Sequence, residues 1–115
     1  MIRVELIVDS FGCVTSVTSV GHAEPVSGVS LVCAAATVLV RTSARCIASV
    51  RGATITGTAR DPGRIQYRVS VHDPTARERI AGMTDFLRRG LSDIRDDAPN
   101  ELELREITEG DGYGT

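Results

Sequence analysis

His22 and Cys33 are the residues whose types and spacing favour nucleophilic chemistry in this sequence. The histidine stands at the end of a β-patterned segment, and the cysteine stands at the start of an apolar segment that predicts a helix. A thiol and an imidazole on either side of a short loop can meet in space, which is the minimum requirement for a cysteine nucleophile with a histidine partner. Alone, the pair is a weak signal, because a cysteine in an apolar, alanine-rich segment is more often a small buried side chain.

Ser30 is the predicted N-cap of this helix, which places Cys33 in its first turn. Backbone N–H groups there have no partner inside the helix, so they favour a thiolate and could donate to the oxyanion of an acyl-transfer reaction. The helix dipole contributes only about 0.3–1 kcal/mol, so His22 must supply most of the activation. In this mechanism Cys33 attacks a peptide carbonyl, His22 protonates the leaving amine, and water hydrolyses the thioester. Gly21 and Gly28 bracket a loop that could close over an extended substrate.

Hydrophobic periodicity predicts an α+β domain in which two helices cover a mostly antiparallel sheet, in the order ββαββαβ. The predicted strands cover residues 2–8, 13–20, 53–59, 64–71 and 101–107, and the predicted helices cover residues 31–50 and 74–95. Gly52 is the predicted C′ residue of the first helix, and Asp73 is the predicted N-cap of the second. We expect residues 1–108 to form one domain and residues 109–115 to form a flexible tail.

Each predicted helix carries an apolar stripe. In the first helix the stripe is Val32, Ala35, Ala36, Leu39, Ile47 and Val50, and the run Ala34-Ala35-Ala36 would allow close contact with a sheet. In the second helix the stripe is Ile80, Met83, Leu87, Leu91 and Ile94, with charged residues on the opposite face.

Composition excludes several classes of function. The chain has 115 residues and a net charge of −2, so a basic nucleic-acid-binding surface is not expected. All 13 basic side chains are arginines, which excludes a lysine nucleophile, a Schiff base and a P-loop. The sequence predicts neither a metal site nor a bound cofactor.

The thiols and the apolar segments indicate the compartment. Three cysteines form no CxxC pair, and an odd count is a poor disulfide framework, so we expect reduced thiols in the cytoplasm. The first residues enter a strand pattern rather than a signal peptide, and the apolar run 29–40 is too short to span a bilayer.

The remaining cysteines and the second histidine have ordinary structural interpretations. Cys13 is predicted to be a small hairpin side chain, and Cys46 a core or interface thiol. His72 is predicted to be a strand-end residue with local hydrogen bonds. A redox function for Cys33 is disfavoured because no resolving cysteine lies nearby, and a stable disulfide of Cys33 with Cys13 or Cys46 would reverse that judgement.

Residues 21–36 resemble the signature of the Prp family of ribosomal-processing cysteine proteases. The matching residues are Gly21-His22-Ala23, then Gly28, then Leu31-Val32-Cys33-Ala34-Ala35-Ala36. The element order is also similar, so the resemblance extends over nearly the whole chain. It implies a small cytoplasmic protein, commonly a homodimer, that removes a short N-terminal extension from ribosomal protein number twenty-seven of the large subunit.

The resemblance also implies site residues and partners. The family's catalytic dyad falls on His22 and Cys33, and Gly21, Ala23, Gly28 and Ser30 are assigned to substrate binding or to the loop. The implied partner is a ribosomal protein precursor, with no direct binding to nucleic acid or a membrane.

The sequence departs from the family pattern in two places. Ser30 stands where the family has Asp, and the loop between His22 and Gly28 is shorter than usual. Serine can still cap the helix, so the fold should tolerate the exchange. An alternative function therefore stays open: a catalytically weak or inactive, ribosome-associated protein-binding module of the same fold.

Overall fold

A computed structural model describes residues 1–21, 30–58 and 63–109. The strands are β1 (Ile2–Val8), β2 (Val14–Val20), β3 (Ala53–Thr58), β4 (Arg64–Val71) and β5 (Leu102–Thr108), and the helices are α1 (Leu31–Ala48) and α2 (Arg77–Asp97). The predicted ββαββαβ order and the α+β class are confirmed. Residues 110–115, which include most of the predicted tail, lie outside the described residues.

The five strands form one sheet in the order β3-β4-β2-β1-β5. All neighbouring pairs are antiparallel except β1 with β5, which run parallel. The alternation in β1 places Ile2, Val4, Leu6 and Val8 on one face, where each is at most 5% exposed. These residues form the core together with the buried faces of both helices.

The buried face of α1 is narrower than predicted. Its buried residues are Ala36, Val40, Ser43 and Ile47, which recur at helical spacing. Ala34 and Ala35 are exposed, so of the three alanines only Ala36 is buried. Val32 and Leu39 are half-buried at the edge of the core. The α1 axis therefore lies with only one flank against the sheet.

The end of α1 also differs from the prediction. The helix ends at Ala48 with Ser49 as its C-cap, and the Ser49 N–H donates to the carbonyls of Cys46 and Ile47. Gly52 is therefore not the C′ residue. It lies three residues beyond the cap, with a φ of +92°, in the turn that leads into β3.

The second helix starts later than predicted because a short 3₁₀ turn, Pro74–Ala76, precedes it. Asp73 caps this turn by accepting from the Thr75 N–H at 3.0 Å, and that hydrogen bond lowers the pKa of the exposed Asp73 carboxyl. Ile80, Leu87 and Leu91 are buried as predicted, while Met83 and Ile94 are half-buried.

Thr84 is a buried polar residue that the apolar pattern did not reveal. Its hydroxyl donates to the Ile80 carbonyl at 2.8 Å and accepts from the Val14 N–H at 2.9 Å. The second bond joins α2 to the start of β2, beside the irregular register between Ile7 and Val8 in the β1–β2 pair. Thr84 therefore satisfies a strand N–H that would otherwise be buried without an acceptor.

By length and composition alone, α1 is long and apolar enough to cross a membrane. The uninterrupted apolar run of the sequence, residues 29–40, is shorter than α1 because Arg41 follows it. In the fold, α1 contacts α2, β3 and β4, and its residues Ala36, Val40 and Ile47 belong to the hydrophobic core. One such helix is weak evidence for a membrane span, because core helices of globular domains satisfy the same test.

Candidate active site

The first turn of α1 is capped as the sequence predicts. Ser30 has an extended backbone, with φ −99° and ψ 116°, and its hydroxyl accepts the Cys33 N–H at 3.1 Å. The first intrahelical bond runs from the Ala34 N–H to the Ser30 carbonyl at 3.1 Å. Cys33 is thus held at the third helical position by a side-chain cap and by the start of the helix.

This cap changes which N–H groups the turn can offer to a ligand. The N–H of Cys33 already donates to Ser30, so it is not free for a developing oxyanion. The N–H groups of Leu31 and Val32 precede the first intrahelical bond and have no partner inside the helix. An oxyanion at this turn would therefore be bound by those two groups rather than by the N–H of the cysteine.

The Cys33 side chain is half-buried and packs against the edge of the core. Because a helix turns by about 100° per residue, Cys33 shares one flank of α1 with Thr37 and Ala44. Ala44 lines a cavity between α1 and the strands β3 and β4. The thiol therefore lies about 20° around the helix axis from Ala44.

Gly21 follows the last residue of β2, and its backbone requires a glycine. Its φ is +109°, and a Cβ at this position would lie 2.3 Å from the carbonyl oxygen of Met1. Its N–H donates to the Gly63 carbonyl at 2.8 Å, which ties the end of β2 to the start of β4. The chain thus leaves the sheet at a fixed point, directly before His22.

His22, Ala23 and Gly28 lie outside the described residues. The pairing of His22 with Cys33 and the roles assigned to Ala23 and Gly28 therefore stay predictions.

The other two cysteines lie in different environments from Cys33. Cys13 is buried, its S–H donates to the Arg77 carbonyl at 3.2 Å, and burial raises the pKa of its thiol. Cys46 is exposed, which excludes the core alternative, and it borders an apolar groove between α1 and α2 that includes Met83. All three cysteines are free thiols.

His72 makes the local hydrogen bonds that the sequence predicted. Its backbone N–H donates to the Gly52 carbonyl at 2.7 Å, and its ring Nε2 is hydrogen-bonded to the Thr54 hydroxyl. It follows β4 at the end of the sheet where α1 finishes, whereas Cys33 lies where α1 begins. In residues 1–21, 30–58 and 63–109, no group of three His, Cys, Asp or Glu side chains could hold a metal ion.

Comparison with known proteins identifies the family. The family model for the cysteine protease Prp matches residues 1–103. Among solved structures, the essential ribosomal processing protease Prp of S. aureus with a covalently linked product peptide superimposes with a TM-score of 0.76 at 23% identity, covering 92% of this chain and 99% of that chain. The same protease with a substrate peptide gives a TM-score of 0.73 at 22% identity, covering 92% and 99% of the two chains.

A Streptococcus mutans protein has the same fold, with a TM-score of 0.73 at 19% identity, covering 95% of this chain and 96% of that chain. At these identities the structural matches show the fold alone. A comparison with curated proteins finds no match. The match of the family model, which spans β1 to the start of β5, establishes more than the fold: the chain belongs to the Prp family and is a cysteine protease.

Proposed function

We propose that this protein is an endopeptidase with a His22–Cys33 dyad, and that it removes a short N-terminal extension from a large-subunit ribosomal protein precursor. The observation that carries the proposal is the capped first turn of α1. It holds a half-buried free thiol, Cys33, beside two N–H groups that have no partner inside the helix. A peptide carbonyl bound at this turn would meet a nucleophile and an oxyanion site together.

The chemistry divides among a few groups. The Sγ of Cys33 attacks the scissile carbonyl, and the developing oxyanion accepts from the N–H groups of Leu31 and Val32. His22 takes the thiol proton, stabilises the thiolate as imidazolium, and then protonates the leaving amine. Water attacks the resulting thioester, releasing the acyl fragment as a free carboxylate and restoring the thiol. No metal or cofactor is needed for any of these steps.

Two lines of support point to a ribosomal substrate. The chain belongs to the Prp cysteine protease family over residues 1–103. The S. aureus protein with the same fold is an essential ribosomal processing protease, and its structures hold a substrate peptide and a covalently linked product peptide. An extended peptide cut near its N-terminus is the corresponding substrate for this chain.

The test mixes the purified protein with the host's own ribosomal protein precursor and follows intact masses over time. We expect one new N-terminus with wild type and with the Cys46→Ala control, and none with Cys33→Ala. Both variants should unfold at temperatures close to wild type. Cleavage by Cys33→Ala would refute the nucleophile. A folded wild-type protein that leaves an extended precursor intact would support the binding-module alternative instead.

Alkylation rates test the thiol without any substrate. At neutral pH we expect iodoacetamide to modify Cys33 much faster than the more exposed Cys46, as read by peptide mapping, because only Cys33 has a helix N-terminus and a histidine partner. His22→Ala should bring the Cys33 rate close to that of Cys46. Equal rates in the wild-type protein would mean that Cys33 is not activated.

We further propose that the protein works in the cytoplasm as a homodimer, without direct contact to nucleic acid or a membrane. The support is the family resemblance, the net charge of −2 and the absence of CxxC pairs. Sedimentation equilibrium at micromolar concentration should return twice the chain mass of 12.3 kDa. A single-chain mass at that concentration would contradict the dimer and leave the dyad untouched.

A further inference from the structure

A cavity of about 470 Å³ lies between α1 and the strands β3 and β4. Its walls are mostly apolar, with Ala44 and Ala48 from the helix and Ile55 and Ile65 from the strands. Two arginines, Arg41 and Arg45, complete the helix side of the cavity. We call this cavity, with these six residues, the α1–β3 groove.

The strand side of the groove includes β3, which is an edge strand of the sheet. In the described part of the chain, β3 pairs with β4 alone, so residues 53–57 form an outer edge without a strand partner. The N–H and C=O groups on a sheet edge can pair with an added extended segment. The groove therefore combines an apolar cavity with an edge that is able to hold an extended peptide.

The helix side of the groove carries charge without a counter-charge among the described residues. Arg41 and Arg45 are exposed and one turn apart, an arrangement that costs a helix a few tenths of a kcal/mol by repulsion. Among residues 1–21, 30–58 and 63–109, the ion pairs use Arg3, Arg88, Arg89 and Arg95 instead. Guanidinium groups bind carboxylates in a two-pronged geometry, so the pair favours an acidic ligand.

The groove lies next to the side of α1 that carries the thiol: at about 100° per residue, Ala44 lies about 20° around the helix axis from Cys33, Arg41 about 80° and Arg45 about 120°. Arg41 follows Cys33 by eight residues, which is about 12 Å along the helix axis. An extended peptide advances about 3.3–3.6 Å per residue, so this length corresponds to three or four residues. Arg45 lies one helical turn further from the thiol. A peptide held at Cys33 and running along α1 past Ala44 would therefore meet the long side chains of Arg41 and Arg45 beside it, several residues from the scissile bond.

We propose that the α1–β3 groove is a specificity subsite for the substrate peptide. It binds an acidic side chain, three to five residues from the scissile bond, on Arg41 and Arg45, and a neighbouring apolar side chain against Ile55 and Ile65. This proposal rests on the endopeptidase function proposed above. It assigns the two arginines to substrate selection rather than to the chemical step.

Binding by a catalytically inactive variant tests the groove separately from catalysis. Cys33→Ser protein is incubated with a positional-scanning library of extended peptides in which one position is fixed as Glu, Gln or Lys, and bound peptides are counted by mass spectrometry. We expect Glu to be enriched over Gln and Lys at one or two adjacent positions. The double variant Arg41→Gln/Arg45→Gln should lose about five- to tenfold of that enrichment. Arg105→Gln, an exposed arginine on the opposite edge strand, should keep it.

A kinetic measurement completes the test in the active enzyme. For the cleaved precursor and its Glu→Gln form, Arg41→Gln/Arg45→Gln should raise KM several-fold for the acidic substrate and leave kcat unchanged. Equal binding of Glu, Gln and Lys peptides by Cys33→Ser, or an equal loss in Arg105→Gln, would overturn the subsite. If Cys33→Ser selects acidic peptides through these arginines while wild type cleaves nothing, the endopeptidase proposal fails and the groove is a peptide-binding site only.

Discussion

The hydrogen bond from the Cys33 N–H to the Ser30 hydroxyl is the contact on which the candidate site depends most directly. Replacing Ser30 with alanine removes the acceptor and leaves the backbone free to keep its extended conformation. The Cys33 N–H then has no partner in the described part of the chain. Ser30→Ala should therefore loosen the turn that holds the thiol.

The expected loss follows from the size of such caps. Substitution of a serine N-cap by alanine costs about 1 kcal/mol, within a range of roughly 0.5–2 kcal/mol. For a chain of 115 residues the unfolding entropy near 60 °C is about 0.24 kcal/mol/K, so the midpoint of thermal unfolding should fall by about 4 °C. Ser30→Asp should keep the midpoint at or above that of wild type, because a carboxylate caps as well and favours the helix N-terminus.

Differential scanning calorimetry at pH 7 measures both variants, with Ser49→Ala as the matched control. Ser49 lies at the other end of α1, is exposed, and its hydroxyl donates to the Cys46 carbonyl. Its removal should therefore cost less than removal of the N-cap. If Ser30→Ala unfolds at the wild-type temperature, the cap contributes nothing and the positioning argument for Cys33 is refuted.

Three other changes test contacts elsewhere in the fold. Thr84→Val keeps the shape of the side chain but leaves the buried Val14 N–H without its acceptor. The free energy of unfolding, measured with urea, should therefore fall by about 1–3 kcal/mol; an unchanged midpoint would mean that another acceptor replaces the hydroxyl. Burial raises the pKa of Tyr67 to about 12, so the unfolded chain ionises first and stability should fall by about 2–3 kcal/mol as the pH rises from about 10 to about 12. Tyr67→Phe should remove most of that alkaline decline; the sequence has no lysine, and the buried Cys13 thiol, whose pKa is also raised, accounts for the remainder. Gly21→Ala places a Cβ against the Met1 carbonyl at positive φ and should cost about 1–3 kcal/mol, read as a lower thermal midpoint; wild-type stability would show that the end of β2 can shift.

Local patterns were sufficient to predict the elements of this fold. The alternation of Ile2, Val4 and Leu6 marks β1 because burial at every second residue is typical of a strand with one face on the core. The serine at position 30 marks the start of α1 because the hydroxyl is an acceptor that the first turn requires. Both signals depend on residues close in sequence.

Features set by distant contacts could not be predicted. The parallel pairing of β1 with β5 joins the first and last described strands, and no local pattern carries that information. Thr84 is ordinary on an amphipathic helix until Val14 is placed opposite it. Val38 on α1 is a residue type usually found in a core, yet its side chain is exposed because the helix packs against the sheet with only one flank.

The candidate site divides in the same way. The place of Cys33 in the first turn followed from its distance to Ser30 and is confirmed. The hydrogen bond that already occupies the Cys33 N–H is seen only in the geometry of the cap. Arg41 and Arg45 looked like ordinary helix-surface charges, because the cavity beside them is made by strands that follow later in the chain. The partnership of His22 with Cys33 stays a prediction.

The parallel pairing of β1 with β5 also bears on when the protein can fold during synthesis. β1 emerges from the ribosome first, yet its β5 neighbour emerges only after both helices and the other strands have been made. Until Leu102–Thr108 is available, a nascent chain carries an open strand edge beside Val4 and Leu6, which is a template for pairing with other chains. We therefore expect chains that stall before Leu102 to aggregate or to be captured by chaperones, and the domain to become fully folded only late in translation.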